Sequence, residues 1–328
     1  MLIFMRMLRI EKLKNKKILV TGGAGFIGSH LTERLLELGA RIIVIDNFAT
    51  GKKENLKDVL ENSDLKVIKS DINNFRALRK IFKKYRPDFV FHYAAVVGVK
   101  RLEESPMEIL KDIEGIKNIL NLSLKHKVKK LVFASSSEVY GEPVSLPEKE
   151  GGVANPRDVY GLVKLIGEHL IQIYYQKYGL PACALRFFNV YGPRQESSPY
   201  GFVVGIFMKQ VLEGKRPTIF GDGLQTRDFI YVKDNVEAAI QALLNKKING
   251  QVINLGIGRQ TTILDLAERI IRLSGKNLKP KFLPERKIDI RYRCPDVTKM
   301  KKFLKFTPKY SLDQGLGITY KWYEKNLR

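Results

Sequence analysis

The chain has 328 residues, with 58 Lys or Arg against 34 Asp or Glu and a formal charge of +24 at pH 7. Hydrophobic residues at 44% and aromatic residues at 10% exclude a disordered or fibrous chain, and the length suits one large domain or two fused lobes. Two cysteines, Cys183 and Cys294, are too few for a disulfide framework or a four-thiolate zinc site, and four scattered histidines give no metal-ligand spacing. The charge alone leaves nucleic acid, an anionic membrane surface and a phosphorylated substrate open as partners.

Met1–Ile10 (MLIFMRMLRI) is apolar but interrupted by Arg6 and Arg9, too short to span a bilayer and without a small-residue cleavage site. Residues 1–16 therefore read as an N-terminal extension, a disordered leader or a start placed ahead of Met5 or Met7, with a weak amphipathic anchor as the alternative. No other segment approaches about 18 uninterrupted apolar residues. The expectation is a soluble, cytoplasmic protein with no membrane partner.

From Lys17 onward, strand-like and helix-like segments alternate. Lys17–Val20 is an apolar run ending in glycines, and Ser29–Leu38 is a helical pattern closed by Gly39. Arg41–Ile45 is a second strand ending on Asp46, Leu65–Ile68 a third, Phe75–Tyr85 a helix and Phe89–His92 a fourth strand. Helical spacing returns over Met107–Lys125, and Leu131–Phe133 is a fifth strand running into Ser135-Ser136-Ser137. Val159–Lys177 is a long helix, and Ala182–Phe187 another strand. Strands apolar on both faces suit a sheet covered by helices on both sides. Beyond about residue 186 glycine, proline and basic residues become denser, Val252–Leu255 returns a strand to the main sheet, and Leu312–Glu324 is a closing helix. The predicted fold is α/β: a Rossmann-type doubly wound parallel sheet (17–185 and 229–255) with a smaller C-terminal substrate-binding lobe (186–228 and 256–328).

Thr21-Gly22-Gly23-Ala24-Gly25-Phe26-Ile27-Gly28 lies between the first strand and the first helix. Gly22 permits the tight turn, Gly25 lets backbone N–H groups approach a pyrophosphate, and Gly28 lets helix and strand pack closely. The helix N-terminus adds its partial positive charge to this anion site. Asp46, eighteen residues past Gly28, can bind the ribose hydroxyls and would repel a 2′-phosphate, which favours NAD over NADP despite Lys52 and Lys53 nearby. Asp71 is expected near the adenine. Phe26, Ile27, Asn47, Ile72, Ala94 and Ala95 complete the candidate cofactor contacts.

Tyr160 and Lys164 lie four apart on the long helix, hence on one face. An ammonium near a phenol favours the phenolate, so the pair can accept a proton near neutral pH. Ser136, at the carboxyl end of the fifth strand, would open on the same crevice and hydrogen-bond the substrate oxygen.

TGGAGFIG, SSSEVYG, the YGLVK segment, RFFNVYGPR and QTRDFIYVKD together resemble the extended short-chain dehydrogenase/reductases that modify nucleotide sugars: UDP-glucose 4-epimerases, dTDP-glucose 4,6-dehydratases and UDP-glucuronate decarboxylases. The resemblance runs from about Lys17 to the C-terminus. It implies catalytic roles for Ser136, Tyr160 and Lys164, with Lys164 also holding the nicotinamide ribose. It implies diphosphate or uridine contacts for Asn189, Arg227 and Arg286, which suits the paired bonds of a guanidinium. Where the family often carries Arg-x-Gly-Asp, this chain has Arg286-Lys287-Ile288-Asp289.

The resemblance also implies oxidation at C4 to a 4-keto sugar with NAD as a bound cofactor, the outcomes differing afterwards. Dehydratases commonly carry Asp-Glu after the catalytic hydroxyl residue and decarboxylases Ser-Glu, whereas many 4-epimerases have small or apolar residues there. Ser136-Ser137-Glu138 lacks the aspartate, which weakens dehydration and leaves decarboxylation open, with Glu138 as a catalytic candidate. Arg227-Asp228-Phe229 and the run HYAAVVGVKR, His92–Arg101, look epimerase-like. Arg293 falls where the family tunes sugar specificity and would meet a carboxylate or a hydroxyl. The resulting expectation is a UDP-sugar 4-epimerase, a homodimer by resemblance. Decarboxylase and dehydratase stand as alternatives, with a non-catalytic NAD-binding sensor from another class.

No nucleic-acid-binding signature accompanies the charge. Met1–Lys17 holds six basic residues and one acidic, and Lys276–Lys309 twelve and three, both outside the cofactor half. This excess reads as solvated surface that steers an anionic substrate.

Overall fold

The computed structural model describes residues 11–96, 104, 106–198, 201–285 and 290–327. Arg286, and Val97–Arg101 of the HYAAVVGVKR run, lie outside them. In chain order the elements are β1 (Lys17–Thr21), α1 (Phe26–Glu37), β2 (Arg41–Asp46), β3 (Leu65–Lys69), α2 (Phe75–Tyr85) and β4 (Phe89–His92). Then come α3 (Pro106–Leu110), α4 (Asp112–Lys125), β5 (Lys130–Ser136), α5 (Val159–Tyr178), β6 (Ala182–Phe187) and β7 (Asn189–Tyr191). They are followed by α6 (Val203–Leu212), β8 (Thr218–Phe220), β9 (Thr226–Arg227), β10 (Phe229–Tyr231), α7 (Val232–Leu244) and β11 (Val252–Leu255). β12 (Thr261–Thr262), α8 (Ile263–Ser274), β13 (Lys281–Leu283) and α9 (Leu312–Asn326) complete the chain.

Seven parallel strands form the main sheet in the order β11-β6-β5-β4-β1-β2-β3. The chain adds strands outward in one direction from β1 through β3 and in the other from β4 through β11, and the carboxyl ends of β1 and β4 at this switch flank the crevice where ligands bind in doubly wound folds. Alternate strand residues feed two cores. Ile18, Val20, Val44, Val132 and Leu185 face α1 and α7, while Leu19, Ile43, Val90 and Phe133 face α2, α4 and α5. Burial on both faces is why these strands read as unbroken apolar runs.

A third core holds the smaller lobe together: Val204, Phe207 and Met208 of α6, Leu266 and Ile270 of α8, Leu316 and Tyr323 of α9, and the short strands β7 and β10. Phe229–Tyr231 packs there, and α7 directly after it packs under the main sheet. The expected helix over Met107–Lys125 is two helices meeting at Lys111, where the Asp112 carboxylate accepts the Val96 N–H at 2.8 Å.

Candidate active site

One cleft of about 1480 Å³ runs from the glycine loop, past the carboxyl ends of β4 and β5, to β9 in the smaller lobe. At its first end the glycines have steric reasons. Gly22 has φ +69° and a Cβ there would meet the Ala94 backbone N at 2.8 Å, while a Cβ on Gly28 would lie 2.1 Å from the Gly22 carbonyl. Thr21 Oγ accepts the N–H groups of Tyr93 (3.1 Å) and Ala94 (3.2 Å), so its one proton goes to His92 Nδ1 at 2.7 Å. Burial holds His92 neutral, its pKa lowered to about 3. This ties the tip of β4 to the loop after β1.

Asp46 is buried, accepts Ala24 N at 3.0 Å and Phe48 N at 2.8 Å, and lines the cleft. Lys52 and Lys53 are exposed and are not part of its wall. Asn47 donates to Asp71 at 2.9 Å. All the expected cofactor residues from Gly22 to Ala95 line this end. A close-packed glycine turn opening a helix, with a buried carboxylate on the next strand, fits a dinucleotide.

The middle of the wall carries the predicted reactive groups. β5 runs three residues further than its apolar core, through Ser136. Ser136 Oγ caps the short turn Ser137–Tyr140 by accepting Glu138 N at 3.1 Å, which leaves the hydroxyl proton to donate elsewhere. Asp158 caps α5 by accepting Gly161 N at 2.6 Å, which puts Tyr160 in the first turn. Burial drives the Tyr160 phenol well above its ordinary value, a hydrogen bond with Ser136 acts the other way, and the carboxylates of Glu138, Asp158 and Asp112 add to the rise.

Lys164 is buried, donates to the Ala134 carbonyl at 2.7 Å, and sits 5.5 Å from the Tyr160 ring centroid. Burial lowers its pKa to about 8, opposed by Asp112 and Glu168. The sequence argument that this ammonium lowers the phenol's pKa therefore needs correcting: in the free protein burial outweighs it, and the ammonium faces a carbonyl.

Glu138 lines the cleft and Arg293 does not. Arg293 is fully buried behind the serine turn. Its Nη1 donates to the Ser137 carbonyl, and its Nη2 lies 3.3 Å from both the Gly141 carbonyl and Glu138 Oε2. The expected meeting of Arg293 with a sugar group is replaced by this contact with backbone. Glu148, also buried, approaches Arg293 Nη1 at 3.8 Å, and burial pushes its carboxyl up to about 7. At the far end Asn189 and Arg227 line the cleft, Arg227 donating to Thr226 O (2.9 Å) and Ile290 O (2.7 Å).

Sequence reading missed a buried ion pair beneath the site. Arg186 on β6 donates to both oxygens of Glu168 on α5 at 2.8 and 2.7 Å, and Ser135 donates to the same carboxylate. A charged residue inside an apolar strand, with another on the inner face of a long helix, was the available signal. Among the described residues no group of acidic, His and Cys side chains is arranged to hold a metal. No described helix is long and apolar enough to cross a membrane.

The fold and cleft define a dinucleotide-dependent enzyme, and comparison with known proteins gives its family. Residues 18–256 match the model of the NAD dependent epimerase/dehydratase family. The chain is 38% identical over 322 residues to a UDP-N-acetyl-alpha-D-glucosaminuronate decarboxylase of Bacillus cytotoxicus, covering 94% of this chain and 98% of that protein. It superposes with a TM-score of 0.90, at 38% identity, on UDP-glucose 4-epimerase of Thermotoga maritima crystallised with UDP-glucose (95% and 100% of the chains). UDP-glucuronic acid 4-epimerase of Bacillus cereus, in complex with UDP-glucuronic acid and NAD, gives 0.88 at 36% identity (95% and 100%). The chain belongs to the NAD-dependent epimerase/dehydratase family. It is a nucleotide-sugar enzyme that uses NAD.

Proposed function

We propose that the chain is a UDP-sugar 4-epimerase acting through transient oxidation at C4 to a 4-keto sugar. The observation that carries this reading is the convergence of Ser136, Tyr160 and Lys164 on one cleft wall, between the glycine loop and Asn189 and Arg227 at the far end. NAD, when bound, supplies a reversible hydride acceptor for C4. As the phenolate, which the positive nicotinamide of bound NAD and the Lys164 ammonium would favour against burial, Tyr160 takes the O4 proton and later returns it, Ser136 donates to the same oxygen, and Lys164 holds the ribose beside them. Asp46 holds the adenosine ribose. The ketone turns over before reduction on its other face.

Glu138 presents a carboxylate to the cleft while Arg293 lies behind it, which disfavours a uronate and supports a neutral hexose. A second reading, decarboxylation of a UDP-uronate, draws on that same pair and on the decarboxylase relative. A carboxylate facing a bound uronate would destabilise it next to the 4-ketone and favour loss of carbon dioxide. The expected homodimer would use Leu162 and Ile173, both exposed on α5, and the enzyme would work in the cytoplasm.

Product NMR after incubation with UDP-glucose, its N-acetyl analogue and UDP-glucuronate tests the reading. Interconversion with the C4 epimer and no net NADH supports it. Carbon dioxide and a UDP-pentose overturn it in favour of decarboxylation, and a 4-keto-6-deoxy product points to dehydration.

A further inference from the structure

Glu148 lies outside the cleft, yet it is more firmly fixed than any surface carboxylate needs to be. Its backbone N donates to Cys294 O at 2.7 Å, and its carbonyl accepts Asp296 N at 2.8 Å and Asn254 Nδ2 at 2.9 Å. Its Oε2 accepts Cys294 N at 3.0 Å, while its Oε1 has no hydrogen-bond partner and lies 3.8 Å from Arg293 Nη1. The other groups facing it are Arg227, Glu138 and the Cys294 thiol.

Arg293 in turn grips both ends of the serine turn, at the Ser137 and Gly141 carbonyls. A fully buried guanidinium needs a counter-charge, and its two partners differ: Glu138 is partly solvated at 37% side-chain exposure, whereas Glu148 is at 2%. Only Glu148 is held rigidly out of water.

We propose that Glu148 is a positioning residue, anchoring Arg293 so that the Ser137–Gly141 turn holds the Ser136 hydroxyl against Tyr160. The chain of contacts runs from the Glu148 carboxylate to the Arg293 guanidinium, to the two turn carbonyls, and through the Glu138 N–H to Ser136 Oγ. This rests on Ser136 facing the substrate oxygen, as in the proposed function. Its signature is local: loss of the anchor loosens the turn while the sheet and the substrate-binding surfaces keep their form.

Above the value of about 7 to which burial raises the Glu148 carboxyl, Glu148→Gln keeps the size and the acceptor for Cys294 N–H but removes the charge. Hydrogen–deuterium exchange of the full-length protein is expected to rise about tenfold at the Glu138 and Gly141 amides while Leu131–Phe133 in β5 stays protected. With UDP-glucose, kcat is expected to fall about tenfold at unchanged KM, since small misplacement of a reacting group acts on turnover. Unchanged exchange at those two amides, or unchanged kcat, overturns the proposal. If Glu148→Gln does not fold, Arg293→Lys, which keeps the charge but loses the fork, carries the same two expectations. A wild-type chain inert towards every nucleotide sugar refutes the proposed function, and the exchange comparison then still decides the role of Glu148.

Discussion

Replacing Glu168 by leucine would leave the Arg186 guanidinium buried with the Glu150 carbonyl, 3.4 Å from Nη1, the Tyr140 hydroxyl, and the Tyr140 ring, 4.5 Å from its centre, but no counter-charge of its own. Two charge-assisted bonds vanish, Ser135 loses its acceptor, and Arg186 stays charged, because a guanidinium keeps its proton even when buried. Breaking such a buried pair costs about 3–5 kcal/mol. Both side chains are at most 4% exposed, so the full penalty applies, and the middle of that range, about 4 kcal/mol, is expected. Against a total of about 5–15 kcal/mol this is a large fraction. Urea unfolding followed by circular dichroism should show it as a lower midpoint at unchanged slope. Glu168→Leu combined with Arg186→Met removes both charges, and its stability should return to within about 2 kcal/mol of wild type. A single variant within about 1 kcal/mol of wild type would refute the reasoning, as would a double variant worse than the sum of the singles.

Tyr160→Phe should lower turnover by about 10²–10⁴-fold while NADH still binds, as titrated by cofactor fluorescence; full activity removes the phenol from the chemistry. Gly28→Ala forces a methyl onto the Gly22 carbonyl, which must move, so NAD affinity should fall by at least about tenfold by calorimetry, and an unchanged Kd would show that the loop tolerates the shift. With Lys164 lowered to about 8, kcat/KM should decline as pH rises through that value and the ammonium is lost; a flat profile to pH 9 contradicts the role. Because the folded chain then binds fewer protons at Lys164 than the unfolded one, this group makes stability rise with pH between about 8 and 10.5.

Much of the cofactor half was legible because its signals are local. The glycine loop, the strand ending on Asp46 and the helical spacing of Tyr160 and Lys164 each lie within a few residues of one another. What escaped depends on contacts distant in sequence. Arg293 was expected beside the sugar because the resemblance puts it where the family tunes sugar specificity, but its position is set by Ser137 and Glu148, both near 150 residues away. Glu168 and Arg186 sit on different elements, and nothing in the sequence of either shows that they meet behind Ser135. The upward pull of burial on the Tyr160 phenol escaped for a related reason: helical spacing brings an ammonium near but says nothing of burial.

Reversible oxidation at C4 fixes the fate of a deuterium label at that carbon. UDP-[4-²H]glucose incubated with the enzyme in ordinary water should give a C4 epimer with deuterium retained at C4. Loss of the label to solvent in the product would contradict return of the same hydride to C4.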